Sequence, residues 1–153
     1  MAHEMRRVVT GHDENGRGVV LFDDIAANVR RPREGLTSAL IWTTENLPAE
    51  VAGTEDKGNV EAGTAIRNGT VFRVSKYDPG VLGRVHRTQT IQYGVVISGE
   101  IHMELEDTEV HLKAGDVLVQ RATVHNWVNR GTVPCVIAFI LISADAEEMP
   151  EFG

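Results

Sequence analysis

Apolar and polar residues alternate along much of this chain. Ile101, Met103 and Leu105 are separated by His102, Glu104 and Glu106, and Val110 and Leu112 are set among Glu109, His111 and Lys113. In an extended strand successive side chains point to opposite faces, so each run predicts a β-strand with one apolar and one wet face. Strand signals run from Thr70 almost to the end, broken at Asp78-Pro79-Gly80, Ser98-Gly99, Asp107-Thr108, Ala114-Gly115 and Asn129-Arg130-Gly131. Turns every eight to twelve residues, with no amphipathic helical period between them, predict an all-β sandwich or barrel.

The first half follows the pattern less evenly. Met5 to Thr10 and Gly18 to Phe22 flank Asn15-Gly16, a dipeptide suited to a tight turn, and predict a hairpin. Asp23 to Thr37 reads as a loop, because Pro32 drives Arg31 out of helical geometry. Its Arg30, Arg31 and Arg33 are either an anion clamp or a solvated loop, and the solvated loop is the simpler expectation. Ser38 to Thr43 is a third strand. From Thr44 to Gly69 no period is sustained, which makes this segment a lid, a binding loop or disordered, with room for a short helix between Pro48 and Ala52. The resulting division is N-terminal strands and long loop over 1–69, a barrel over 70–143 and an acidic tail over 144–153.

Cys135 to Ile142 departs from the alternation, being apolar at both parities. Both faces of that strand need cover, either from the N-terminal hairpin or from a second subunit, and a homodimer is the expected arrangement. The same run is too short to span a bilayer, and the N-terminus lacks the apolar core of a signal peptide. A net charge of -7 argues against nucleic acid and anionic membranes as partners, and the single cysteine suits a reducing compartment. A cytoplasmic protein with a small-molecule ligand is the expectation that remains.

Two polar runs are the candidates for chemistry. His86, Thr88, Thr90 and Gln92 share one parity, as do His125, Trp127 and Asn129, so each run places a polar stripe among apolar strands. His102 and His111 share parity with charged neighbours and are expected in solvent. His3 and His12 fall in a terminus and a turn.

Pro79-Gly80, His86, Tyr93 and Gly99-Glu100, followed by Gly115-Asp116 and His125-x-Trp127-x-Asn129, resemble the two conserved motifs of the cupin superfamily over roughly residues 70 to 142. The resemblance implies a double-stranded β-helix, or jelly-roll barrel, here with extra N-terminal strands. It also implies a dimer and a site inside the barrel mouth. Metal-binding cupins carry His-x-His and Glu in the first motif and His in the second. In this chain His86 and His125 match, Thr88 replaces the second His, and Gln92 replaces the Glu. Arg121 and Thr123 replace the second motif's usual Pro and Gly.

Two site readings follow. His86, Gln92 and His125 form a weakened site for a divalent cation such as zinc, nickel, iron, manganese or copper, with two imidazoles and no carboxylate. Without metal, His86 and His125 act as proton-transfer catalysts, since imidazole titrates near neutrality. Thr88, Thr90 and Gln92 would orient polar substituents, Trp127 would carry a ring, and Arg121 or Arg84 would take a carboxylate. Arg87 has the parity of an exposed residue. Tyr77 is a candidate donor, while Tyr93 lies on the opposite face from Gln92. The expected function is isomerase, dehydratase, decarboxylase or lyase chemistry on a small, cyclic, partly hydrophobic molecule. The alternatives are a non-catalytic sensor or carrier and a metal-dependent dioxygenase.

Overall fold

The computed structural model describes residues 4–145. Eleven strands make up its regular structure: β1 (Arg6–His12), β2 (Gly18–Ile25), β3 (Val29–Arg33), β4 (Leu36–Thr44), β5 (Thr70–Tyr77), β6 (Thr90–Ser98), β7 (Glu100–Glu104), β8 (Glu109–Lys113), β9 (Val117–Arg121), β10 (Asn126–Val128) and β11 (Cys135–Ser143). Among the described residues no helix is long and apolar enough to cross a membrane. His3 and the tail beyond Asp145 lie outside the described residues.

A six-stranded sheet in the order β3-β4-β5-β11-β6-β9 faces a three-stranded sheet in the order β10-β7-β8. Their inner faces share one core. Leu36, Leu40, Val71, Tyr77, Val96, Cys135, Ile137, Phe139 and Leu141 come from the larger sheet, and Ile101, Met103, Leu112 and Trp127 from the smaller. This is the jelly-roll β-barrel that the alternation and the turns predict. The Ser98-Gly99 turn depends on its glycine. Gly99 has φ 75°, and a Cβ there would run into the Pro134 carbonyl.

The N-terminal hairpin forms as expected from β1 and β2. Asp13 closes its loop by accepting the amide hydrogens of Asn15 and Arg17, and Gly16 takes φ 76°. Asp23 to Thr37 is not a single loop. Val29 to Arg33 pairs antiparallel with β4 as an edge strand, and a register break between Arg30 and Arg33 accommodates Pro32. An edge position tolerates proline because one side of the strand needs no ladder donor, which periodicity alone does not reveal. The short helix expected at Pro48 to Ala52 does not form.

Residues 45–69 are an irregular strap held to the barrel by side chains. Thr43 Oγ1 donates to the Lys57 carbonyl at 2.6 Å, and Asn28 Nδ2 donates to the Gly58 and Val60 carbonyls at 3.0 and 2.8 Å. Arg7 is the main tie. Its guanidinium meets Asp24 and Asp56 bidentately, reaches the Ile41 carbonyl and lies over the Phe22 ring. The buried guanidinium thereby joins hairpin, strap and barrel, and its two hydrogen-bonded carboxylates push its pKa further up.

β11 runs down the middle of the large sheet between β5 and β6, and it is apolar at both parities because one face enters the core and part of the other is covered as well. Cys135, Ile137, Phe139 and Leu141 enter the core. On the other face, Val136 and Ala138 pack with Met5, Ala26, Ala39, Ile41, Phe72 and Val74, so the N-terminal segment covers part of that face. Ile140, farther along, remains exposed.

Candidate functional site

His86 and His125 face each other across an isolated antiparallel bridge. Each backbone N–H donates to the other's carbonyl, at 3.0 and 2.9 Å. Directly opposed residues in such a pair send their side chains to one side, and the two rings lie 4.3 Å apart between centroids. Each ring is oriented by its own chain: His86 Nδ1 donates to the Arg84 carbonyl at 2.7 Å, and His125 Nδ1 to the Thr123 carbonyl at 2.8 Å. With Nδ1 carrying the proton, Nε2 is the basic nitrogen on both rings. Burial lowers both pKa values, that of His125 to about 4, with the neighbouring His86 adding to the effect. Both imidazoles are therefore neutral at pH 7.

Both histidines line a cavity of about 420 Å³. Its apolar wall includes Trp127, Phe139, Leu141 and Leu36, and the Trp127 ring meets the His125 ring edge-on. Thr88, Gln92 and Tyr77 add polar groups. Gln92 is held by a chain that sequence reasoning missed: Thr123 Oγ1 donates to Gln120 Oε1 at 3.0 Å, and Gln120 Nε2 donates to Gln92 Oε1 at 2.9 Å. With its oxygen engaged, Gln92 can offer its amide nitrogen. Gln120 shares parity with Leu118 in Val-Leu-Val-Gln-Arg, a signal that could have marked it as inward-facing. Tyr77 is buried, which raises its pKa and keeps the phenol protonated as a donor.

Several candidates fall elsewhere. Thr90 shares the inward face of Gln92 but lies in a neighbouring hollow with Met103, Leu118 and Gln120. The Thr90 amide donates to the Thr88 carbonyl at 2.8 Å in a local turn, while Thr88 and Gln92 on either side of it line the main cavity with His86 as their parity predicts. Arg121 is exposed at the end of β9 and borders that same hollow, outside the main cavity. Asn129 is structural: its Nδ2 donates to the Tyr77 and Val133 carbonyls, and its Oδ1 accepts from Gly131. Tyr93 is exposed, as its parity predicts, whereas Arg87 is half-buried. His102 and His111 stack in parallel, 4.3 Å apart, with His111 3.3 Å from Glu100; His111 is exposed and His102 half-buried.

The arginines differ most from expectation. Arg30, Arg31 and Arg33 of β3 line the cavity, together with Arg84 and with Arg73 of β5. Arg73 shares parity with Val71, Ser75 and Tyr77, so its inward position was legible; the β3 arginines were hidden by the irregular step at Pro32.

The donor set does not fit a divalent cation. Gln92 Oε1 is engaged, Thr88 stands where a second imidazole would be needed, and guanidinium groups share the cavity. Among the described residues no three or more His, Cys, Asp or Glu side chains gather as a metal would require.

Residues 73–142 match the family model of the Cupin domain. Over 147 residues the chain is 37% identical to the cupin-domain-containing oxidoreductase fogC of Aspergillus ruber, covering 91% of this chain and 72% of that protein. It is 34% identical over 145 residues to the cupin-domain-containing oxidoreductase virC of Hypocrea virens, covering 89% and 74%. Among solved structures, KdgF from Halomonas sp. superposes with a TM-score of 0.54 at 20% identity, covering 78% of this chain and 89% of that one. Motifs, barrel and relatives agree, and the chain belongs to the cupin family.

Proposed function

We propose that this cupin binds a small, ring-bearing organic molecule in the barrel and moves a proton on it. The observation that carries this reading is the pair of neutral imidazoles, 4.3 Å apart, each fixed through Nδ1 to a backbone carbonyl. A fixed, neutral imidazole in an enclosed site is a general base. Nε2 of His86 takes a proton from the bound molecule, and the imidazolium returns it at a second atom or to a leaving group. No electrons change hands, so the reaction class is isomerisation, dehydration, decarboxylation or elimination. Trp127 offers a flat apolar face to the ring, and Thr88, the Gln92 amide and the Tyr77 phenol donate hydrogen bonds to oxygen substituents.

The test is proton exchange. A panel of cyclic keto and hydroxy compounds is incubated with the protein in deuterium oxide and followed by NMR. Wild type is expected to exchange or convert at least one compound, and His86→Gln and His125→Gln to lose about 10²-fold or more of that rate. Undiminished rates in both variants would remove the catalytic assignment. A compound that raises the melting temperature yet stays unexchanged would support a sensor or carrier instead. A second reading, oxidation or reduction of the bound ring, is favoured by the names of the fungal relatives. It predicts consumption of dioxygen or of a nicotinamide cofactor alongside the substrate.

A further inference from the structure

The geometry points to an organic carboxylate as the ligand of this cavity, its acid group held by the arginine rim and its apolar body against Trp127, Phe139 and Leu141. This rests on reading the barrel cavity as the substrate site, and it does not depend on proton transfer.

The molecule contains its own control. Arg7 is buried, and two carboxylates neutralise it. The cavity arginines have no such arrangement. Arg73 donates to two neutral carbonyls, Ala62 and, at 2.8 Å, Gly63. Arg33 Nε donates to the Leu82 carbonyl at 2.8 Å. Among the described residues the one carboxylate within ion-pair reach of the five is Glu61, 4.0 Å from Arg30 and 98% exposed. Among the described residues no Asp or Glu lines the cavity, in a chain whose net charge is -7. Burial and the nearby Arg30 both lower the Arg73 pKa, which marks a cation held with like charge beside it. Arg30, Arg31 and Arg84 are exposed, while Arg33 and Arg73 are half-buried, so the cost of like charge without counter-charge falls on Arg33 and Arg73, and an anion relieves it.

The backbone bonds made by Arg73 and Arg33 also fix the direction of both side chains. A guanidinium so oriented keeps further N–H donors for a planar, bidentate partner, which a carboxylate provides. The rest of the lining includes an apolar, aromatic wall, with Phe139 directly beside Arg73 across the β5–β11 ladder. The combination fits an acid on a hydrophobic ring better than an inorganic anion or a polyphosphate, neither of which would use that wall.

The test compares acids with their neutral isosteres. Benzoate, phenylacetate and 1-cyclohexenecarboxylate are each titrated calorimetrically against the corresponding primary amide, at low and at physiological salt. At least one acid is expected to bind tenfold or more tightly than its amide, with the preference shrinking as salt rises. Arg73→Gln should abolish most of that preference. Because Arg73 also anchors the strap, Arg84→Gln provides a second variant without a carbonyl anchor, and it should reduce the preference severalfold. His125→Gln should leave the preference in place while removing proton exchange, so the two readings fail separately. Equal binding of every acid and amide would overturn the inference. So would a preference untouched in both arginine variants, or inorganic phosphate displacing the acid at equal concentration.

Discussion

At the level of single residues, the convergence of His86 and His125 was legible because two motif positions of one parity lie on facing segments. Their protonation was not legible, since it depends on burial that only the closed barrel supplies. That burial makes a prediction. Unfolded, the His125 ring takes up a proton near pH 6.5; folded, it resists until about 4. Between those values the unfolded chain binds more protons, so stability falls as pH drops through 6.5 and this loss levels off near 4. Over that span one such group accounts for about 3 kcal/mol. Urea unfolding at pH 7 and pH 4.5 should show wild type losing more stability than His125→Gln. Equal losses would mean that the ring is protonated in the folded state.

At the level of strands and loops, regular alternation is legible in the sequence and irregular connections are not. β6, β7 and β8 follow their patterns, whereas β3 has the look of a loop because a bulge at Pro32 breaks its period. The strap over 45–69 shows no period at all, because its order comes from side chains distant in sequence. Arg7 lies 49 residues from Asp56, a separation that no local pattern encodes. Replacing one partner of a buried ion pair strands the others, so Arg7→Gln should cost about 3 kcal/mol, and Arg7→Lys somewhat less, since it keeps the charge but loses the bidentate geometry. Chemical denaturation measures the cost, and limited proteolysis should find new cleavage within 45–69. A second site checks the strap independently. Gly69 passes so close to β4 that a Cβ would run into the Thr44 carbonyl, with no Arg7 atom beside it, so Gly69→Ala should open the same segment to protease without disturbing the Arg7 ion pairs. Protection of that segment in both variants would show that the strap is held by other contacts.

At the scale of the whole molecule, the two edges of the large sheet are unequal. β3 carries Pro32 and charged arginines, devices that discourage another strand from pairing there. β9 at the opposite edge presents Val117 and Val119, 73% and 59% exposed, beside Tyr93, Val95 and Ile97 of β6 and Ile140 of β11. The N-terminal segment covers the other half of this outer face, around Val74 and Val136, and among the described residues nothing covers this half. Contiguous apolar surface of this kind marks an interface, and a second copy of the chain is the partner the arrangement predicts. A stable pair would need to bury roughly 800 Å² on each copy. Sedimentation at micromolar concentration should therefore return twice the mass of one chain, and Val119→Lys should return one. The substitution lies at an exposed position, so the separated copies should keep their fold and differ from wild type by the lost association alone, seen as a melting temperature that no longer rises with protein concentration. A wild type that sediments as a single chain would leave these valines without a partner and would make the six-stranded sheet half-bare in solution, an arrangement that should then bind an apolar dye at that face and lose the dye on Val119→Lys.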